Sequence, residues 1–413
     1  MEKFVRPFAA LRPSRQYASA VIAPPYDVVN ELEARALVRE RPYSFLRISR
    51  PEVEFPSGTD PYTDTVYAKA AENLQKLKTL GVLVRDPKPA YYVYQIQTDD
   101  HQQTGIAFTA SIQAYDTHRI RRHELTTPVK ENDRIRNIET LNAQTGPVLS
   151  VYRANEKINQ LLNIKKSEEP LFQDIAQHDT THTIWRVDDP DTLTAISHTI
   201  NAMDTIYIAD GHHRSAAASK VSAQRHSKNQ QEQKNASYNY FLTVAFPHNE
   251  LKILDYNRVV KDLNGYSPEE ILKKLSMCFD VDTSDGPVKP NVPTTYGMYL
   301  SGNWYRLKIH NNLKTNHPSA SLDIALLQKH LIDPILGIDD PRTNPRISFV
   351  GGIKGQEELK NLVDSGKWAV AFALYPTSMD QLMAVADANE LMPPKSTWFH
   401  PKLADGLLSH ILD

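Results

Sequence analysis

The 413-residue sequence contains a single cysteine, Cys278. One thiol excludes an internal disulfide and any cysteine-rich zinc site, and it suits a reducing compartment. Charge of one sign is missing too. With 47 Lys and Arg against 49 Asp and Glu, the net charge is −2, so there is no overall basic field for nucleic acid, and none is an expected partner. No apolar run approaches the roughly 18 residues of a membrane span, and MEKFVRPFAALRPSRQ lacks the apolar stretch of a secretory signal. The expectation is a cytoplasmic protein that no membrane holds. No repeat recurs at a fixed period. Composition is otherwise that of a globular chain, and the length calls for two or three domains.

The patterning divides into a mixed segment at 1–90, an α/β core at 91–262 and a C-terminal α+β domain at 263–413. Pro24-Pro25-Tyr26-Asp27 forms a stiff extended element. Asn30 then reads as the N-cap of a helix over ELEARALVRE, and a second helix runs from Tyr67 to a stop at Gly81. AYYVYQIQT and GIAFTASIQAY alternate as a hairpin. GPVLSVYRA and HTIWRV read as strands, NEKINQLLNIKKS and PDTLTAISHTINAM as helices, and this alternation implies an α/β unit. The polar run VSAQRHSKNQQEQKNAS is expected to end as a mobile segment. YFLTVAF and LKILDYNRVV return to strand. In the C-terminal part SPEEILKKLSMCF reads as a capped helix, and YGMYLSGNWYRLKI as a hairpin turning at Gly302-Asn303. SLDIALLQKHLIDPILG reads as a helix broken by Pro334.

The chain is organised around residues 205–218, TIYIADGHHRSAAA. Ile206, Tyr207 and Ile208 read as a buried strand, Asp210-Gly211 as a turn, and 215–219 as the start of a helix poor in bulky side chains. A strand, a glycine turn and a helix start together aim backbone N–H groups, and the positive end of a helix dipole, at an anion. Asp210, His212, His213 and Arg214 load that turn with a carboxylate, two imidazoles and a guanidinium fork suited to phosphate oxygens. The plainer reading is an Asp-Gly turn with polar decoration. Ala216, Ala217 and Ala218 favour the functional one, because small residues let the helix start pack close to its strand.

Two further stretches carry polar groups that could join it. Residues 120–142, IRRHELTTPVKENDRIRNIETLN, mix both signs densely. That pattern suits a solvated helix face, but apolar residues are too sparse before Pro128 for a helix there, so this part reads as an ordered loop. Near the end, MPPKSTWF offers Lys395, Ser396 and Thr397 to a phosphate or a carboxylate, or serves as a proline-stiffened link. It is not a Walker loop, since the glycines are missing.

RPFAALRP, APPYDVV, PYSFLRISRPE, HELTTPVKENDRIRNIETLNAQTGP, ADGHHRSAAA and MPPKSTWFHPKL, in that order, resemble the family known as domain of unknown function 1015 over essentially the whole chain. That resemblance fixes no substrate. The D-G-H-H-R turn after a strand resembles the nucleotide-binding turn of the ParB/sulfiredoxin superfamily, over some part of the core around Asp210. Sulfiredoxin carries cysteine where this chain has His212, so its thiol chemistry is not expected. Partition clamps carry a more basic turn, and the Asp-Gly-His turn of free serine kinases is the most similar of the three. The resemblance implies a ParB/sulfiredoxin-like α/β core with Asp210 and His212 at a transferring phosphate.

The resulting expectation is a small-molecule kinase that uses ATP or ADP with Mg²⁺ and a hydroxyl acceptor, free L-serine being the best guess. Gly211, Arg214, Ser215, Lys130 and Arg134 would meet nucleotide phosphates. Asp210 would hold Mg²⁺ or orient the hydroxyl, and His212 or His213 would handle protons, with Glu124 a candidate base. Lys395, Ser396 and Thr397 would meet the acceptor. A nucleotide-binding switch of the partition-clamp type, without turnover, is the alternative, and a homodimer is a further expectation. A metal hydrolase built on His178, His182 and the His212-His213 pair is a third reading, weakened because HDTTH lacks the glutamate of a zincin.

Overall fold

The computed structural model describes residues 3–175, 180–228 and 235–413. His178 and the 229–234 part of the polar run expected to be mobile lie outside the described residues. Two compact units divide the chain. Met1–Arg122, Thr126–Leu251 and Pro401–Asp413 make one, and His123–Leu125 with Lys252–His400 make the other. The first 90 residues therefore share a unit with most of the expected core, and Lys252 begins the second unit's long segment.

A nine-stranded mixed sheet forms the centre of the first unit. Its strands are β1 (Val5–Arg6), β2 (Tyr91–Gln97), β3 (Gln102–Ser111), β4 (Ile120–Arg121), β5 (Val148–Tyr152), β6 (Phe172–Ile175), β7 (Thr181–Val187), β8 (Ile206–Asp210) and β9 (Tyr240–Pro247). The spatial order is β4-β8-β5-β9-β3-β2-β7-β6, with β1 paired to β3. β5 and β9 run parallel, as do β4 and β8, and the other pairs are antiparallel. Helices alternate with these strands along the chain, an α/β architecture. β-branched and aromatic residues fill the central strands, and Tyr91, Val93, Phe108, Ile208 and Phe241 join one core with Ile196 and Ile200 of the helix Pro190–Asn201. Each such side chain contributes about 1.5–3 kcal/mol when fully buried.

Helix α1 (Pro128–Leu141) begins with proline at its first turn and ends at Asn142, which adopts a left-handed conformation. Helix α2 (His212–Lys228) packs on α1 through Ile138, Ala217 and Val221. Glu131 bonds Lys220, and Glu139 bonds Arg225 at 2.9 Å. Part of the mixed-charge stretch is thus a helix joined to its neighbour by complementary ions, preceded by the expected loop. The alanines at 216–218 are buried, where bulkier side chains would separate the helix from its neighbours. α2 starts at His212, three residues before the expected start.

The last residues return to the first unit. Ala23 and Asp405 exchange backbone hydrogen bonds, Leu11 bridges Ser409, and His410–Ile411 pairs with Ala143–Gln144. Gly406 at φ +90° fits because a Cβ there would lie 2.7 Å from that of Phe45.

The second unit is built on a six-stranded antiparallel sheet in the order Phe279–Ser284, Asn303–Ile309, Thr295–Leu300, Val370–Leu374, Tyr256–Val260, Ile347–Gly351. Ser267 and Glu270 form the capping box of the expected helix Pro268–Leu275. The hairpin turns one residue earlier than expected: Leu300 pairs with Asn303, leaving Ser301 (φ +50°) and Gly302 (φ +82°) as the two loop residues. Two consecutive positive φ angles match the right-handed twist of the strands. The helix expected over 321–337 changes from α (Asp323–Leu327) to one π turn (Gln328–Ile332) before Pro334. Among the described residues no helix is long and apolar enough to cross a membrane.

Candidate functional site

β8 reaches the site through an irregularity. Tyr207 and Ile208 pair with Val151 and Ser150, but Asp210 pairs with Leu149, so one extra residue is accommodated between them. A bulge of this kind re-aims the side chains beyond it. Gly211 follows at φ +98°, and a Cβ there would stand 3.3 Å from the Val148 Cα, so the turn requires glycine. The chain then enters α2, with Arg214 and Ser215 donating their amides to the Gly211 carbonyl.

The Asp210 carboxylate is held from both sides. One oxygen accepts the Gly211 N–H at 2.9 Å and the other accepts Lys402 Nζ at 2.8 Å. Burial alone would raise its pKa, but Lys402 and Arg214 outweigh it and hold the carboxyl well below the usual range. Arg214 donates to the Pro147 carbonyl and stands 4.0 Å from Asp27. Despite burial, Asp27 and Asp210 push its pKa upward, so it is a permanent cation.

His212 is only 4% exposed. Burial lowers its pKa to about 4 against the pull of Asp210, so it is neutral at pH 7. His213 is half-buried, and its Nε2 accepts the Thr127 N–H at 3.2 Å, tying the turn to the residue just before α1. Ser215 is fully buried, with its hydroxyl donating to the His212 carbonyl at 3.1 Å.

Arg134 of α1 pairs with Asp133 at 2.7 Å and lies over the Tyr26 ring, 4.0 Å from its centre. It lines a small hollow with Arg214, Tyr26, Thr145, Gly146 and Asp405. Its volume of about 30 Å³ suits one water-sized group and excludes a nucleoside. Asp405 accepts the Tyr26 N–H at 3.3 Å, and burial pushes its carboxyl up to about 6. Lys130, one turn before Arg134, is exposed.

The remaining expected residues belong to the second unit. Glu124 is half-buried there, beside the backbone bond from the Met392 amide to the His123 carbonyl. Lys395 is exposed at φ +57°, Ser396 donates its hydroxyl to the Pro393 carbonyl at 2.6 Å, and Thr397 is half-buried.

Sequence reasoning missed Asp27, Lys402 and Asp405 as members of this cluster. Asp27 was legible only as part of a stiff extended element. Lys402 lies 192 residues from Asp210, with no local pattern to connect them.

Asp210 was expected to hold Mg²⁺, but its surroundings do not fit a resident ion. Both its oxygens have donors, one of them an ammonium. Among the described residues no group of three His, Cys, Asp or Glu side chains could hold a metal. His182, expected in the hydrolase reading, is a core residue whose Nδ1 lies 2.9 Å from the Tyr94 hydroxyl.

A sequence profile for proteins of unknown function, DUF1015, matches residues 5–325. The chain belongs to this DUF1015 family. No curated protein matches it. Among solved structures, a free serine kinase in complex with AMP is similar at 12% identity and TM-score 0.40, over 77% of this chain and 94% of that one. A conserved hypothetical protein from Pyrococcus furiosus is similar at 13% identity and TM-score 0.37, over 73% and 94%. C-terminally truncated SbnI from Staphylococcus aureus is similar at 12% identity and TM-score 0.40, over 72% and 85%.

Proposed function

We propose that this protein is a phosphotransferase that moves a phosphoryl group from ATP or ADP to the hydroxyl of a small metabolite, free L-serine being the first candidate. The observation that carries the reading is the assembly at the end of β8. A bulged strand, a turn that requires glycine and a long helix place Asp210 and Arg214, the C-terminal segment brings Lys402 to Asp210, and the carboxylate of Asp27 lies alongside.

Phosphoryl transfer asks a protein mainly for positioning and for charge neutralisation. Arg214 and the first turn of α2 supply the positive end toward the phosphates, and Gly211 lets the backbone come close. Asp27 is 42% exposed at its side chain and within reach of Arg214, which suits a base. As the bond between the terminal phosphorus and the leaving oxygen breaks, the acceptor oxygen bonds that phosphorus and its proton passes to Asp27. His212 is buried and neutral, and His213 ties the turn to Thr127 at the start of α1. Mg²⁺ belongs to this reading as the companion of the nucleotide phosphates. Lys130 and Arg134, on α1 of the same unit, remain candidate contacts for the nucleotide.

Incubation with ATP or ADP, Mg²⁺ and a panel of hydroxyl compounds, followed by phosphorus NMR, tests the reading. A new phosphate monoester with serine or another alcohol supports it, and no transfer with either nucleotide across the panel removes it. The partition-clamp alternative is favoured instead if nucleotide binding promotes dimerisation without any product.

A further inference from the structure

The partner that Asp210 already has carries a further assignment. Lys402 comes from the C-terminal segment, which is stitched to the first unit by the Ala23–Asp405 backbone pair, the Leu11–Ser409 bridge and the His410–Ile411 strand. A flexible side chain is thus delivered from a firmly held backbone. Its ammonium sits 2.8 Å from Asp210 at a turn that also carries Arg214, and its side chain retains 20% exposure against 31% for Asp210. The pair is neither sealed in the core nor loose on the surface. A metal at Asp210 would have to displace this ammonium.

We propose that Lys402 is a phosphate-binding residue of the site, stored on Asp210 in the nucleotide-free protein and handed to the nucleotide's terminal phosphates on binding. The assignment rests on the phosphotransferase reading and gives Asp210 a definite part in it. The carboxylate is a positioning residue that keeps a lysine beside Arg214. An ammonium on a four-carbon stem can turn from carboxylate to phosphate without backbone movement, as a compact point charge with three donors. Exchange of one anionic partner for another leaves the ammonium paired throughout. No bond forms or breaks in this step.

Two variants of one ion pair should then differ, because only loss of the lysine weakens binding. Titration calorimetry of the full chain with ADP, in the absence and presence of Mg²⁺, provides the reading. Lys402→Gln is expected to weaken ADP binding about 10- to 100-fold, the size of one lost charge-assisted contact, and to leave adenosine binding unchanged. Lys402→Arg should recover part of the loss. Asp210→Asn, which removes the lysine's carboxylate partner at this turn and a negative charge beside the phosphates, should keep or tighten metal-free ADP binding. A thermal melt of each variant establishes that the chain is folded. If folded Lys402→Gln binds ADP like the wild type, or if adenosine binding falls in parallel, the assignment is overturned while nucleotide binding itself stands. If the wild type binds no nucleotide, both the assignment and the phosphotransferase reading are lost.

Discussion

Arg258 donates from Nη2 to the carbonyl oxygen of Lys395 at 2.9 Å, and to that of Pro394 at 3.0 Å. Its other terminal nitrogen reaches the Tyr256 carbonyl at 2.6 Å, and its guanidinium lies 4.6 Å from the centre of the Phe349 ring. The side chain is 2% exposed, and burial lowers its pKa to about 9, which still leaves it charged at pH 7. This guanidinium fixes the Pro-Pro-Lys turn by its backbone. Replacement by Met leaves several carbonyls without their donor, and a loss of about 2–4 kcal/mol in urea unfolding is expected. Lys should restore only part, since it lacks the planar fork.

Gly211→Ala tests the turn itself. The left-handed backbone and the 3.3 Å approach to Val148 Cα should cost about 1–3 kcal/mol. Any transfer activity should fall further than the stability alone explains, because Asp210 accepts the amide of this same residue. Equal activity in a folded Ala variant would show that the glycine serves only the fold.

Asp27→Asn separates chemistry from folding. If the carboxylate takes the acceptor's proton, kcat should drop about 10²- to 10⁴-fold. The same carboxylate also stands 4.0 Å from buried Arg214, so a thermal melt of the Asn variant is needed to show that it is folded before the loss of kcat is read. An Asn variant with normal kcat would place the base elsewhere.

Acid should destabilise the protein in a definite window. Burial lowers His212 to about 4, His182 to about 3 and His410 to about 4 from an ordinary 6.5. Below 6.5 the unfolded chain takes up protons that the folded chain refuses, so stability falls as pH drops from 6.5 toward 4. His212 alone accounts for about 3 kcal/mol. Asp405, raised to about 6 by burial, works in the opposite sense. Its contribution is full below about 3.8 and is lost as pH rises through 6. Urea midpoints between pH 4 and 7 should therefore slope less steeply in His212→Asn and more steeply in Asp405→Asn.

How much of this could be read beforehand depended on whether the cause was local. The caps at Asn30 and Ser267 were legible, because each depends on a residue three positions away. The strand, glycine and helix around Asp210 were legible for the same reason, although helix α2 took in His212, His213 and Arg214 as well. Arg134 was recognised by residue type, but not its placement over Tyr26. Lys402 and Asp405 could not be found this way, since their partners lie at Asp210 and Tyr26, far along the chain. The turn at Ser301-Gly302 was placed one residue late because Gly-Asn and Ser-Gly both satisfy the local rule, and strand register decides between them.

The path of the chain has a further effect on how the protein is made. Residues 252–400 are translated after β9 and before the segment that carries Lys402. While that long insert emerges from the ribosome, Asp210 has no lysine, Ala23 has no backbone partner and Ala143–Gln144 has no strand beside it. A nascent chain can therefore be mostly folded while its first unit stays incomplete until residues 401–413 arrive and Lys402 reaches Asp210.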